Sequence, residues 1–346
     1  MHNFRRIAAG FLVVTCLLAW GGRLTASADA PSEVLLEGLL VGREVVDLAG
    51  QGLSAEALSG VYTELLYGMP ELFHVAPRLS YSTRGGEVEA VYPVYTLEGD
   101  ALTAARSFYR DAITAILARM EAAFGGRTPE EAEVVLYLHD YLADRYAYDT
   151  RRESSNADAY SFLRDGVGVC QAYALAFMAL ARGAGLEADF VASAAMDHAW
   201  NHVRVDGVWY HVDVTRDDPI PAAEGREEVN HARLLRSDEG MEALGYYGYA
   251  CSAGHTCGDT RFEEAGVGSL TDFHRALIPT PAGWLGGGEE GAPVAVTVGE
   301  QGFSTGQRGD LDRDEKITPA DLLCIYDEGE YDFEAWREWV REALVE

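Results

Sequence analysis

The sequence predicts an α+β fold in which helices lead into a core where Cys170 opens a central helix packed on an antiparallel sheet. Three observations carry this. Long stretches repeat apolar residues at helical spacing. The alanine-rich run after Gly168-Val169-Cys170 has small side chains that let neighbouring strands come close to a helix. The stretch from His198 to Thr215 alternates around Asp206-Gly207, a strong signal for a two-residue hairpin turn.

Along the chain, Arg5 and Arg6 precede an apolar run from Ile7 to Trp20, with small residues at Ala26, Ala28 and Ala30. That is the layout of a secretory signal peptide over residues 1–30. The run is shorter than the roughly 20 residues a membrane-spanning helix needs, and no later stretch is long enough, so a secreted, extracellular protein with no membrane span is expected. A lipid anchor on Cys16 is the weaker reading, because Val13-Val14-Thr15 puts no small residue directly before it.

Residues 31–127 form a lead-in region: a helical pattern over 32–72, strands over 79–95 around Arg84-Gly85-Gly86, and a helix over 100–124. The core domain is expected over 128–282. Its first helix opens with Thr128 as cap and Pro129 at the first helical position, and it turns Val134, Leu136, Leu138 and Leu142 inward. The Cys170 helix stops near Gly183 and Gly185, and a strand follows over 186–192. Beyond Pro219 the chain reads as irregular, with aromatics at Tyr246, Tyr247 and Tyr249. A glycine-rich linker over 283–308 and a small acidic module over 309–346 complete it. No internal repeat supports a solenoid or propeller.

With 346 residues and 48% hydrophobic content, the chain can bury a substantial core. Its net charge of -29 repels phosphate backbones, which excludes nucleic acid as a partner class. Cys251 and Cys257, flanked by Gly254 and Gly258, suit a small local disulfide in an oxidising compartment. The alternative there, a metal site with His255, lacks enough nearby ligands in the sequence. Cys170 then stands apart as a reactive thiol.

Hairpin geometry sorts the residues around that thiol. If Asp206-Gly207 is the turn, Val205 faces Val208 and Trp200 faces Asp213, and period two divides the side chains between faces. Val203, Val205, Val208, Tyr210 and Val212 share one face; His198, Trp200, His202, Trp209, His211 and Asp213 share the other. Both His198 and His202 are then diagonal neighbours of Asp213, within reach of an imidazole to carboxylate hydrogen bond. Geometry alone does not choose between them. His202 and His211 face each other, but two ligands are too few for a metal, so a polar cross-strand pair is expected. Trp200 either walls the site or simply covers the sheet. The start of a helix stabilises a thiolate at Cys170, and the N–H of Cys170 is a natural oxyanion donor.

The motifs Gly168-Val169-Cys170-Gln171-Ala172-Tyr173-Ala174, His198-Ala199-Trp200-Asn201 and Trp209-Tyr210-His211-Val212-Asp213-Val214-Thr215 resemble those of the transglutaminase-like superfamily of papain-like folds. The resemblance covers about residues 128–219, and the segment Pro70-Glu71-Leu72-Phe73-His74-Val75 resembles one that leads such domains in bacterial secreted proteins. It favours His198 over His202 and implies a papain-like core with Cys170, His198 and Asp213 as catalytic residues, no catalytic cofactor, and a protein or peptide amide as substrate. The thioester would go to water in a peptidase or to an amine in a transglutaminase; water is preferred, since no amine-binding feature is visible. The competing implication is a non-catalytic module that only binds within an extracellular assembly. One departure stands out: Arg216 follows Thr215 where the family commonly has an aromatic.

The acidic tail places oxygen ligands Asp310, Asp312, Asp314, the Lys316 carbonyl, Thr318 and Asp321 at calcium-loop spacing. This resembles a dockerin-type loop and helix, which implies structural calcium and a cohesin-type scaffold partner. Glu315 stands where such loops usually have glycine, and residues 327–336 supply no second copy.

Overall fold

The computed structural model of the protein describes residues 30–150, 156–218, 229–251 and 253–263, with short strands at 326–327 and 330–331. Residues 1–29 of the expected signal segment, the expected linker and calcium loop, and Cys324 lie outside the described residues.

The lead-in region builds its own apolar core. Helices Ala30–Val41 and Leu58–Gly68 bury Leu35, Leu39, Leu58, Leu65 and Leu66 with Val88 and Val91 of a three-stranded sheet. That sheet has the order β1 (Val46–Asp47), β3 (Glu87–Tyr95), β2 (Val75–Arg84). The helical pattern expected over 32–72 is therefore interrupted: Val46 and Asp47 pair with Val91 and Ala90, and that pairing takes the backbone out of the helix.

Helix Gly99–Ala123 joins this region to helix Glu131–Arg145. The latter begins later than the Thr128 cap predicts. Glu130 is the capping residue, its N–H donates to Glu133 Oε2 at 2.8 Å, and Arg127 grips both Glu133 oxygens at 2.6 Å. The carboxylate outcompetes Thr128 because it satisfies an orphan N–H and an arginine at once.

The nucleophile helix, Cys170–Gly183, is buried almost end to end. It follows the short parallel pair β4 (Ala147–Tyr148) and β5 (Val167–Gly168), and packs on helices Glu131–Arg145 and Ala159–Asp165 and on the antiparallel sheet β6 (Ala188–Ser193), β7 (His198–Val205), β8 (Val208–Val212), β9 (Leu234–Arg236). Ala172, Ala174, Ala176 and Ala181 permit the close approach, and Asn201 Nδ2 donates to the Ala174 carbonyl at 3.0 Å. Between β7 and β8, Asp206 and Gly207 have φ of +50° and +83°, the two left-handed residues of the expected tight turn. Val205 pairs with Val208, and His202 with His211. The apolar face meets the helix. On the other face, Val191 and Trp200 pack against Met241 of helix Asp238–Ala243 and against Tyr246, so the described segment beyond Pro219 is more regular than its sequence suggests.

Arg182 ties the two regions together, donating to the carbonyls of Gly68 at 2.5 Å and Ala188 at 2.9 Å, while Tyr67 stacks on Phe190 at 4.8 Å. Among the described residues, no helix is long and apolar enough to cross a membrane.

Candidate active site

Cys170 occupies the first turn of the nucleophile helix, where backbone N–H groups lack partners within the helix. Gly168 makes this entry possible. A Cβ there would meet Phe162 Cδ2 at 2.7 Å, the Asn156 carbonyl at 2.8 Å and Ala172 Cβ at 3.0 Å, so only glycine lets the chain pass. Gln171, buried beside the cysteine, donates through Nε2 to the Ala157 carbonyl at 3.0 Å and fixes the approach to the helix.

His198 starts β7, and its imidazole lies beside the Cys170 thiol, close enough for the sulfur to favour the protonated ring. Its Nε2 lies 2.6 Å from Asp213 Oδ2, which leaves Nδ1 as the nitrogen for the thiol. Burial opposes a charge on this ring, yet the Asp213 carboxylate, its hydrogen bond and the Cys170 sulfur together raise the imidazole pKa to about 10. Asp213 is fully buried. Burial pushes its carboxyl up, but the His198 charge and hydrogen bond, the Tyr246 hydroxyl and the Arg216 N–H prevail and hold it below the ordinary range. Three donors thus orient it: His198 Nε2, Tyr246 Oη and Arg216 N, the last at 3.1 Å.

The sequence-predicted residues Cys170, His198 and Asp213 come together. His202 does not join them: it lies four residues further along β7 and is directed to a separate cluster. Trp200 stacks on His198 with centroids 5.6 Å apart and planes 24° apart, and meets Tyr246 edge-on at 5.1 Å. It is the wall of the site. Tyr246 is the partner that sequence reasoning missed; it sits 33 positions from Asp213, and only its membership of the aromatic run at 246–249 hinted at a role. Arg216, standing where the family commonly has an aromatic, lies over the Tyr246 ring at 4.7 Å and covers the same group with its guanidinium.

One expectation is corrected nearby. Cys251 and Cys257 are free thiols and form no disulfide. They belong to different side-chain groups, Cys257 with His202, His211 and Asp238, and Cys251 with Asp189 and His255. His202 and His211 are the expected cross-strand pair, packed ring edge to face at 4.3 Å, but no hydrogen bond joins them, and neither nitrogen of His202 has a hydrogen-bond partner among the described residues.

Residues 119–214 match the family model of the transglutaminase-like superfamily, and the fold is α+β with a transglutaminase-like core. No curated protein matches. Among solved structures, a TGase is 13% identical, with 44% of this chain and 47% of that chain covered at a TM-score of 0.28. A proposed cysteine protease from Cytophaga hutchinsonii is 16% identical, covering 41% of this chain and 63% of its own, at 0.26. A proposed protease from Parabacteroides distasonis is 11% identical, covering 40% and 35%, at 0.23. The chain spans less than two thirds of the length of each of these.

Proposed function

We propose that this chain is a secreted cysteine enzyme that hydrolyses amide bonds in proteins or peptides, with Cys170 as nucleophile, His198 as general acid and base, and Asp213 as the group that orients His198. The observation that carries the reading is the chain of contacts from the Cys170 sulfur at a helix start, through His198, to a fully buried carboxylate 2.6 Å from Nε2. The thiolate attacks the carbonyl carbon and the carbonyl electron pair moves to oxygen, next to the Cys170 N–H. His198 then gives its proton to the leaving amine as the carbon–nitrogen bond breaks, leaving a thioester. Water attacks the thioester while His198 takes up its proton, and the carboxylic acid and free thiol are released. Trp200 keeps bulk water from the imidazolium side of the pair.

Alkylation measured against pH tests this. In the wild type, Cys170 is modified rapidly at neutral pH; His198→Ala slows modification there, and His202→Ala slows it far less. Equal profiles in all three proteins would favour a module that binds without catalysis. Adding the protein to a mixed proteome and mapping new N-termini against new cross-links then separates water from an amine as the acceptor.

The acidic loop is proposed to bind calcium through Asp310, Asp312, Asp314, the Lys316 carbonyl, Thr318 and Asp321, and to dock a cohesin-type scaffold protein. The support is its alternating oxygen ligands. Calorimetry should give calcium heats that vanish in an Asp312→Ala, Asp321→Ala variant; unchanged heats would remove the loop as a site.

A further inference from the structure

The sheet face away from the nucleophile helix holds a second group of reactive side chains. Register places Asp189 opposite His202, His202 opposite His211, and His211 opposite Arg236, one row across four strands. His202 is 1% exposed, and both its ring nitrogens are buried with no hydrogen-bond partner among the described residues. With neither nitrogen engaged, the neutral ring keeps one lone pair free for a ligand. Two residues distant in sequence converge on it. Asp238 opens helix Asp238–Ala243, and Cys257, a free thiol with 0% exposure, comes from the segment after it. They bracket each other: the Asp238 N–H donates to the Cys257 carbonyl at 2.7 Å, and the Cys257 N–H donates to Asp238 Oδ2 at 2.8 Å. One ligand atom from each of His202, His211, Asp238 and Cys257 falls within 4.8 Å of all the others.

We propose that His202, Asp238 and Cys257 bind a zinc-type transition-metal ion, with His211 positioning the carboxylate. Imidazole, thiolate and carboxylate together are a donor set that suits zinc, and three protein ligands leave the fourth tetrahedral position to water. Charge supports the same ion: a thiolate and a carboxylate balance a divalent cation, so the buried centre is neutral. His211 is not a ligand, because Trp200 Nε1 donates to its Nδ1 at 2.9 Å. The proton therefore sits on Nε2, which donates to Asp238 Oδ1 at 2.9 Å and fixes the carboxylate as outer partners of metal ligands do. On binding, the Cys257 sulfur gives its proton to solvent, and His202 and Asp238 coordinate without losing one. The adjacent trio of Asp189, Cys251 and His255 is already satisfied: His255 Nε2 meets Asp189 Oδ2 at 2.6 Å, and Arg182 holds the other Asp189 oxygen at 3.1 Å. The ion would clamp β7 to the segment carrying Tyr246, and so hold the wall of the site made by Trp200 and Tyr246.

The test uses the full chain carrying Cys170→Ala, so that the nucleophile contributes no thiolate and the result is independent of catalysis. Metal-stripped protein should take up one equivalent of cobalt(II) with a sulfur-to-cobalt charge-transfer band in the near ultraviolet, displaced by zinc. Cys257→Ser should abolish the band and His202→Ala weaken binding by about tenfold or more, whereas Cys251→Ser should leave both intact. Should a variant fail to fold by circular dichroism, alkylation of the parent protein decides: zinc should protect Cys257, and a chelator should restore its labelling. No charge-transfer band in folded parent protein, a band that survives Cys257→Ser or is lost in Cys251→Ser, or no protection of Cys257 by zinc would overturn the proposal.

Discussion

Two buried histidines of this protein, His198 and His139, are held by carboxylates, and they do different things. His139, on helix Glu131–Arg145, has Nδ1 2.9 Å from Asp140 Oδ1 and Nε2 3.3 Å from Asp217 Oδ2. Asp140 is shared with His231 at 2.6 Å, and Asp217 with Arg233 at 3.1 Å. Both ring nitrogens face buried carboxylates, Nδ1 in a hydrogen bond and Nε2 at ion-pair distance only, and the side chain has no exposure, so the cluster fastens the helix to Asp217 and to His231 and Arg233. His198 spends only Nε2 on its carboxylate and turns the other nitrogen to a half-buried thiol. A histidine and an aspartate become a candidate site only where one ring nitrogen is left for a reacting atom. The closed arrangement is a structural tie.

Substitution should separate the two most sharply. His198→Gln is expected to lower kcat/KM of amide hydrolysis by about 10³-fold or more while keeping a hydrogen bond to Asp213 and most of the stability. His139→Ala should instead cost about 3–5 kcal/mol of stability, because it strands buried carboxylates, with turnover of the folded fraction within about tenfold of wild type. Urea melts run beside kinetics read both, and a His139→Ala protein that stays stable but loses turnover would break the contrast.

A smaller effect lies in pH. Burial opposes protonation of His139, but the hydrogen bond to Asp140 and the carboxylate charges of Asp140 and Asp217 raise its pKa from 6.5 to about 9. A raised pKa stabilises the fold fully below 6.5, where folded and unfolded chains are both protonated. That contribution is lost as pH rises through about 9. Urea midpoints between pH 6 and 9.5 should therefore fall less steeply in His139→Gln than in wild type; equal slopes would mean that the proton is not held there.

The smallest effect should come from Tyr246→Phe. It removes one of three donors to Asp213 and is expected to cost about tenfold or less in turnover, with little loss of stability since the ring remains. A loss as large as that of His198→Gln would make Tyr246 a participant in the chemistry.

The core elements were legible wherever local rules act alone. Asp206-Gly207 fixed the turn, the turn fixed the register, and period two put His198 and Asp213 on one face with Val203, Tyr210 and Val212 on the other. Gly168 before Cys170 signalled a tight entry, and the Cβ clash there gives the reason. The choice of His198 over His202 came from the motif resemblance, because both satisfy the same diagonal geometry. Cap competition misled the reading at Thr128, where a carboxylate three residues into the helix, backed by Arg127, decided the start.

By itself, then, the sequence determined what spacing can encode: the α+β pattern, the hairpin register and the face that His198 shares with Asp213. Tertiary packing alone decided which distant groups meet them. Tyr246 reaches Asp213, and Asp238 and Cys257 reach His202, because a helix and a segment with no periodic signature fold across the far face of the sheet. Cys251 and Cys257, six positions apart, point to different partners instead of each other. The reason is physical: turn type and side-chain period constrain neighbours over one hairpin, whereas contacts tens of residues apart depend on how apolar faces close over one another, which no local pattern specifies.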